Sequence, residues 1–379
     1  MTELHVRHPP SAPTAAGAMG RALAGGLIMA VALGVGNGLG PVLADITGAG
    51  GLAARLIAAA IVTVMAVPFV LRLAHSRTVG FGSPGASLRA FLTGVGVTAA
   101  GAVLVLGAGT AMGLLVWQQL DLVTLVGFLV TNTAVAFLLE ALPEETTLRG
   151  YTWTSLRGRF GPALAVLGTT AVFMLVPGTS TLVTAGIARL AGDDPGHIGI
   201  APEGQHPVDY LILLAIFSLT LIAARAALGR APLWAAIGTH LTVLTVNRIM
   251  LQGADRDTGV TVEQASGDVV LLVPLYLVVV AIAFLACRRV TRRHSATAFA
   301  AAVNAGLPAE LDPRGSGLVR TMRLRAPEAP PLFTGWRIPS AVLCGAVVYC
   351  GYLIYLGVAH SSVLIIGAVL GLFPSSWAQ

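Results

Sequence analysis

The amino-acid sequence predicts an all-α protein, a polytopic bundle of transmembrane helices with a cytoplasmic N-terminus. Three observations lead to this fold class: a mean hydropathy of +0.82, a charged-residue content of only 11%, and the recurrence of long apolar runs along the chain. A soluble domain needs far more charge to cover its surface. The 45 glycines favour close approach of neighbouring helices, as in packed membrane bundles.

Eight apolar runs form the predicted core of the bundle, and one further apolar block follows near the C-terminus. A helix of about 20 residues crosses the hydrocarbon layer of a membrane, and the runs are close to this length. The eight runs are 22–44, 53–73, 90–117, 122–142, 161–178, 208–228, 231–250 and 269–287. The further block, 338–373, is interrupted by the polar sequence Ala359–Ser362 and predicts one or two additional spans.

The stretches between the runs predict a tail and one large loop. Residues 1–19 are rich in Pro and Ala and predict a disordered cytoplasmic tail. The transmembrane bundle then covers 20–287, a cytoplasmic loop covers 288–337, and a hydrophobic C-terminal part covers 338–379. The loop begins with the basic sequence "RRVTRRH", which is typical of a stop-transfer anchor and alternatively of a binding site for anionic lipid.

The distribution of arginine determines the predicted orientation. All 23 basic residues are arginine, and with a cytoplasmic N-terminus only Arg55, Arg189, Arg248 and Arg256 fall towards the outside. The positive-inside rule favours this orientation. Because the arginines are scattered between apolar runs, they predict membrane anchors and contacts with lipids, and they do not predict a nucleic-acid partner. The absence of lysine indicates a GC-rich genome and, with it, a bacterial plasma membrane.

Two adjacent carboxylates, Glu144 and Glu145, follow the fourth apolar run in the sequence "LPEETTLRG". One interpretation is a helix at the membrane surface, started by Pro143, with the acids in its first turn and a pair between Glu145 and Arg149. The other interpretation places the cytoplasmic boundary at Arg157, which sets Glu145 ~18 Å inside the membrane at the rise of an α-helix. Ionisable groups buried in a membrane bundle usually serve a function.

A histidine at a similar depth gives the second interpretation a specific geometry. His240 follows Arg230 in the seventh run and lies ~15 Å deep by the same helical rise. We therefore expect Glu144 or Glu145 to lie within one water molecule of His240, in a cavity that opens towards the cytoplasm. Glu140, one turn before the pair, is a further candidate for a buried acid.

The residues around this pair resemble the CPBP family of CAAX-processing and bacteriocin-processing membrane proteases, also called the Abi family. The first family motif, EExxxR, is matched in full by Glu144, Glu145 and Arg149. Phe173 matches the start of the second motif, FxxxH, and His240 matches the start of the third, HxxxN. The resemblance covers roughly residues 120–250.

Two positions depart from the family pattern. Pro177 stands where the second motif has its histidine, and Leu244 stands where the third motif has its asparagine. Neither side chain donates a hydrogen bond, and loss of one oxyanion donor typically lowers the rate by ~10²–10³-fold. Asn247, one turn beyond Leu244, and Asn132 are the side chains available as substitutes.

The resemblance implies an intramembrane endopeptidase that hydrolyses a peptide bond with a glutamate-activated water. It implies that Glu144 and Glu145 are base and partner in an order left open, that Arg149 holds the other carboxylate, and that His240 is an oxyanion donor or a proton shuttle. The implied partner is a peptide or a membrane protein. The departures from the pattern imply an impaired site, and they leave open an inactive relative that acts as a scaffold or immunity factor.

Other functional classes receive less support from the sequence. An ion-coupled transporter would explain buried acids, but the chain lacks broken-helix signals in two matching halves.

No cofactor is predicted, and no metal either, because Glu144, Glu145 and His240 are a thin ligand set for zinc. His197 and His206 are predicted on the outer side, away from the site. The three cysteines, Cys287, Cys344 and Cys350, show no CxxC spacing.

Overall fold

A computed structural model of the protein describes residues 14–74 and 79–304, with side chains described as far as residue 291. This part of the chain is mostly helical and contains two short strands. Most of the predicted tail, the greater part of the predicted loop and the whole C-terminal block lie outside the described residues, so these remain predictions.

Helices follow one another along most of the chain, and the two strands lie between them. The N-terminal elements are α1 (Ala15–Thr47), α2 (Gly51–Leu73), α3 (Pro84–Ala111) and strand β1 (Leu115–Leu120). A long helical segment follows, made of α4 (Leu122–Ala136), a π-helical turn (Phe137–Ala141), an α-helical turn (Leu142–Glu144), a π-helix (Glu145–Thr152) and α5 (Trp153–Ala191). The last elements are α6 (Pro207–Ala227), α7 (Pro232–Gln252), strand β2 (Val260–Gln264), a 3₁₀ turn (Gly267–Leu271) and α8 (Leu272–Asn304).

The described residues contain 6 helical segments that are long and apolar enough to cross a membrane. One of them, Leu122–Ala191, has 70 residues and includes two of the predicted runs, 122–142 and 161–178. Its backbone breaks at Gly161, where φ is 78° and ψ is 180°, a conformation that favours glycine. The protein is therefore an integral membrane protein, while its count of spans remains a prediction.

Three predicted boundaries differ from the structure. The run 90–117 is not one helix, because α3 ends at Ala111 and the chain turns at Gly113, where φ is 73°. Strand β1 follows and pairs antiparallel with β2, with Trp117 opposite Val262. At the N-terminus, α1 begins inside the predicted tail, because the Thr14 hydroxyl accepts the N–H of Gly17 at 3.1 Å and caps the helix. At the C-terminal end of the predicted bundle, α8 continues beyond residue 287 into the predicted loop.

Packing and short connections define two ends of the bundle. Helices α1 and α5 run in the same direction, since Gly26 packs against Val172 and Gly38 packs against Ile187. The connections 48–50, 112–121, 192–206 and 253–271 therefore lie at one end, which we call the acidic end. The connections 79–83 and 228–231 and the break at Gly161 lie at the opposite end, which we call the basic end.

The two ends differ sharply in charge. Among the described residues, every acidic side chain except Glu140, Glu144 and Glu145 lies at the acidic end. These side chains are Asp45, Asp121, Asp193, Asp194, Glu203, Asp209, Asp255, Asp257, Glu263 and Asp268. The basic end instead carries arginines, namely Arg72, Arg89, Arg157, Arg159, Arg225 and Arg230. Of the two ends, the arginine-rich one is the end that the sequence predicts on the cytoplasmic side.

Candidate active site

The backbone around the glutamate pair departs from α-helical geometry on both sides. Pro143 has no N–H, and its ring crowds the carbonyl one turn earlier, so the regular hydrogen-bond ladder cannot continue through it. The structure accommodates this with the π-helical turn Phe137–Ala141 before the pair and the π-helix Glu145–Thr152 after it. π-Helical insertions of this kind occur frequently at functional sites.

Two neighbouring helices hold the π-helical segments in place. The hydroxyl of Thr63 on α2 donates a hydrogen bond to the carbonyl of Leu138. The hydroxyl of Thr152 donates to the carbonyl of Ala22 on α1 at 3.1 Å. The close approach of α1 depends on Gly25, where a Cβ atom would lie only 2.2 Å from the Thr152 hydroxyl oxygen.

The bond from Thr63 leads to a testable prediction about the fold of the site. The variant Thr63→Val removes the donor while keeping the shape of the side chain, and we expect it to lower the free energy of unfolding by about 1 kcal/mol. The variant Thr63→Ser keeps the hydroxyl and should retain most of the stability. Denaturant unfolding in detergent measures both variants. Equal stability of Thr63→Val and the wild type would show that this bond does not stabilise the π-helical turn.

The charged residues of the first motif are buried inside the bundle. Glu145 and Arg149 are 0% exposed, and Glu144 is 8% exposed. His240 on α7 is 1% exposed. The interpretation of "LPEETTLRG" as a helix on the membrane surface is therefore wrong.

His240 contacts both glutamates through different ring nitrogens. Its Nδ1 lies 2.9 Å from Oε1 of Glu145, which is a hydrogen bond with the carboxylate as acceptor. Its Nε2 lies 4.0 Å from Oε2 of Glu144, which is too far for a direct hydrogen bond. Phe217 packs edge-on against the imidazole at 4.9 Å between ring centroids. The predicted proximity of the acids and the histidine is thus confirmed, and the contact with Glu145 is direct.

Arg149 provides the positive charge next to the buried carboxylate of Glu145. Its Nη1 lies 3.4 Å from the same Oε1 atom that contacts His240. The guanidinium group stacks over the ring of Phe173, with 4.4 Å between Cζ and the ring centroid. Glu145 therefore lies between a cation and an imidazole, and it is Glu144 that has the freer carboxylate.

A cavity of about 380 Å³ lies beside this cluster. Glu140, Glu144 and His240 are part of its wall, whereas Glu145 and Arg149 are not. Most of the remaining wall is apolar, with side chains such as Leu33, Phe173, Val176, Leu213, Phe217, Val243 and Leu277. The pair of Glu144 and His240 thus faces a largely apolar space.

The cavity extends in the direction opposite to the one predicted. It reaches the connection between α5 and α6, where His197 and residues 199–202 line it. This connection belongs to the acidic end, so the cavity does not extend towards the arginine-rich end, where the sequence predicts its opening. The expectation that His197 lies away from the site is also wrong, because the connection folds back over the helix ends. His206 is not among the residues of the cavity wall.

The two positions that depart from the family pattern both line the cavity. Pro177 and Leu244 offer it no hydrogen-bond donor. Asn247 also lines the cavity, and its Oδ1 accepts a hydrogen bond of 2.7 Å from the hydroxyl of Tyr276 on α8. This contact fixes the amide and leaves Nδ2 available to a ligand. Tyr276 was missed by sequence reasoning, because a tyrosine in an apolar run gives no functional signal.

Asn132 does not face the cavity. Its Oδ1 accepts a hydrogen bond of 2.8 Å from Arg248, and its Nδ2 donates to Thr245 at 3.1 Å. Arg248 in turn forms an ion pair with Glu140 at the cavity wall. The amide is therefore engaged at both ends in a network that joins α4 to α7. Arg248 is an arginine inside an apolar run, which was the available signal for this network.

Comparison with known proteins identifies the region that carries the cluster. Residues 125–246 match a family model described as Type II CAAX prenyl endopeptidase Rce1-like. No curated protein and no solved structure matches the chain. The matched residues include the whole EExxxR motif and His240, while α1, α2, α3 and α8 lie outside them. The resemblance to the CPBP family of membrane proteases is thereby confirmed over residues 125–246, the part of the chain that brings the buried glutamates and the histidine together.

Proposed function

We propose that the protein is a CPBP-type intramembrane endopeptidase that hydrolyses a peptide bond in the cavity between α5, α6 and α7. One observation carries this proposal. Glu144 faces an apolar cavity with its carboxylate beside Nε2 of His240, while Glu145 holds the opposite side of the same imidazole. A carboxylate and an imidazole directed at one cavity are suited to general acid–base chemistry on a bound water.

In the proposed reaction Glu144 is the general base. A water bound between Glu144 and the substrate gives one proton to the carboxylate, and its oxygen adds to the carbonyl carbon of the scissile bond. The tetrahedral intermediate collapses when the C–N bond breaks, and Glu144 returns the proton to the leaving nitrogen. One water is consumed, and the products are a carboxylic acid and an amine.

The other residues have supporting roles in this proposal. In this proposal, the Nε2–H of His240 donates to the developing oxyanion, which is the interaction that such sites use to stabilise the transition state. Glu145 fixes the ring through Nδ1, and Arg149 balances the charge of Glu145. Asn247 is a further donor to the substrate, and Phe173 shapes the wall beneath Arg149.

A specific observation favours a second candidate function. Pro177 and Leu244 place apolar groups where the family pattern has a histidine and an asparagine, and both face the cavity. A site without these donors should be slower by ~10²–10³-fold for each lost oxyanion donor. The second candidate is therefore a catalytically inactive relative that binds a peptide or a membrane helix in the same cavity, as a scaffold or immunity factor.

The setting of the site is part of the proposal. We place the protein in a bacterial plasma membrane, with eight core spans and the N-terminus in the cytoplasm. The all-arginine composition and the charge difference between the two ends support this placement. Lipids are then its surroundings, and a peptide or membrane protein is its substrate.

The test of the proposed function is a hydrolysis assay in lipid nanodiscs. Internally quenched peptides of two kinds serve as probes, one with a prenylated C-terminal CAAX sequence and one with an unmodified apolar segment. We expect Glu144→Gln, which preserves shape, to reduce turnover by ~10²–10⁴-fold, as the loss of a general base does. Glu263→Gln on the exposed strand β2 is the matched control and should cleave like the wild type.

Two results would decide against the hydrolytic assignment. Turnover by Glu144→Gln equal to that of the wild type would remove Glu144 from the chemistry. Saturable binding of a probe by the wild type, with no cleavage of either kind of peptide, would instead favour the inactive relative.

A further inference from the structure

We infer that the cavity takes its substrate from the non-cytoplasmic side of the membrane, and that the substrate is an apolar segment of an exported or membrane-anchored polypeptide. That the bound molecule is a polypeptide rests on the proposed function. The side of entry rests on the geometry of the cavity and on the charges at the two ends of the bundle.

The position of the cavity along the bundle is the first argument. From Glu144 and His240 the wall continues through Pro177 and Thr181 on α5 and ends at the connection 192–206. Helix α5 rises by ~1.5 Å per residue, so Thr181 lies ~30 Å from the break near Gly161. The cavity thus occupies the half of the bundle next to the acidic end.

The opposite side of the cluster is closed by packed side chains. Leu148, Thr152, Trp153 and Leu156 are all buried between the glutamates and the basic end. Neither the break at Gly161 nor the connection 228–231 contributes a residue to the cavity wall. A substrate that arrived from the basic end would have to displace this core, whereas one from the acidic end has only the connection 192–206 in its way.

Charge assigns the two ends to the two sides of the membrane. The acids of the described part, apart from those of the site, lie at the acidic end, and the helix ends at the basic end carry arginines. The positive-inside rule places the basic end in the cytoplasm. The connection 192–206 and the entrance to the cavity therefore face the exterior.

The wall of the cavity defines the class of segment that fits. Leu213, Phe217, Val243 and Leu244 face the space between His240 and the connection. A charged side chain among these four apolar groups would lose its hydration without gaining a partner from them, which is costly. Uncharged, apolar residues are the ones that this part of the cavity accommodates.

The connection forms a cap that is held on α5 by specific contacts. The Thr181 hydroxyl donates to the carbonyl of Gly199 at 3.0 Å, and it accepts the N–H of the same residue at 3.3 Å. Ile200 packs onto Gly178, where a Cβ atom would lie 2.9 Å from its Cγ1. Within the cap, Nε2 of His197 is hydrogen-bonded to the carbonyl of Ala201 at 2.9 Å. The cap is thus attached mainly through Thr181, and a substrate entering from this end displaces it.

Cysteine labelling tests the side of entry without any need for a known substrate. The full chain, with Cys287, Cys344 and Cys350 replaced by serine, is expressed in a bacterial host with Leu244→Cys in the cavity wall. A membrane-impermeant maleimide is then added either to spheroplasts or to inverted membrane vesicles. We expect labelling of the cavity cysteine in spheroplasts and its loss in inverted vesicles.

Matched variants report the orientation and the role of the cap. Asp193→Cys at the acidic end should be labelled only in spheroplasts, and Arg159→Cys at the basic end only in inverted vesicles. Thr181→Val, which removes both bonds to Gly199, should increase the labelling rate of the cavity cysteine several-fold. Pro177→Cys serves as a second cavity position if Leu244→Cys does not fold.

Each contrary outcome overturns the inference. Labelling of the cavity cysteine from the cytoplasmic side, from both sides, or from neither side even with Thr181→Val would exclude one-sided entry past the cap. Labelling of Asp193→Cys only in inverted vesicles and of Arg159→Cys only in spheroplasts would show the reverse orientation and exclude entry from the exterior. None of these outcomes affects the assay of Glu144→Gln, so the failure of the entry route and the failure of the proposed function can be told apart.

Discussion

Replacing Arg149 with methionine is expected to destabilise the folded bundle by about 3–5 kcal/mol, the usual cost of removing one partner from a buried ion pair. Arg149 lies 3.4 Å from Oε1 of Glu145, and both side chains are completely buried. The variant Arg149→Met would leave the carboxylate without its cation in a dry interior. It would also leave the ring of Phe173 without the guanidinium group that covers it. Equilibrium unfolding in mixed detergent measures the effect.

Two control variants separate the charge effect from a general loss of packing. The double variant Glu145→Gln/Arg149→Met removes both charges, and the glutamine can still accept a hydrogen bond from His240. We expect it to recover most of the lost stability, because a buried pair replaced by uncharged groups is often neutral. Arg159→Met, at an exposed position further along the same helical segment, should unfold like the wild type. A double variant as unstable as Arg149→Met would contradict the proposed pairing.

Restoring the third family motif is expected to raise turnover by ~10²–10³-fold, the size of the contribution of one oxyanion donor. The variant Leu244→Asn introduces an amide four residues beyond His240, on the same face of α7 and ~6 Å further along its axis. Leu244 already lines the cavity, so the new amide would face the space in which the proposed function places the substrate. The initial rate of peptide hydrolysis in nanodiscs measures the gain. Pro177→His restores the second motif and should act in the same direction.

The control for this gain is an amide placed elsewhere in the same cavity. Leu213→Asn adds a donor on α6, where the family pattern has none, and should not raise the rate. A similar rate for Leu244→Asn and the wild type would show that the missing asparagine does not limit the reaction. A similar increase in both variants would attribute the effect to general polarity and not to a positioned donor.

The core of the site was predictable because it consists of ionisable side chains, which are costly to bury. Two adjacent acids, Glu144 and Glu145, with Arg149 one turn later and His240 in a distant apolar run, have few explanations other than a shared interior site. The structure places these four side chains together. Helix positions were predictable for a related reason, since every span needs a long apolar run.

Other features were not predictable, because they depend on contacts between distant parts of the chain. The direction of the cavity follows from how the connection 192–206 folds over the helix ends, which apolar periodicity does not encode. The sequence therefore predicts His197 away from the site, whereas it lines the cavity. Asn132 was a reasonable donor by residue type, but Arg248 engages it from another helix. The strand pair β1–β2 is short and lies between apolar runs, and its first strand falls partly within a predicted helix.

The hydrogen bonds of Thr63 and Thr152 determine how much of the chain is needed to hold the site in its geometry. The matched stretch, 125–246, contains the buried glutamates and His240, but the π-helical backbone that positions the glutamates is hydrogen-bonded to α1 and α2. A fragment limited to that stretch would keep every matched motif residue, but it would lose the hydrogen bonds that hold the π-helical backbone in position. Under the proposed function, substitutions at these contacts in α1 and α2 should therefore alter catalysis, although both helices lie outside the matched residues.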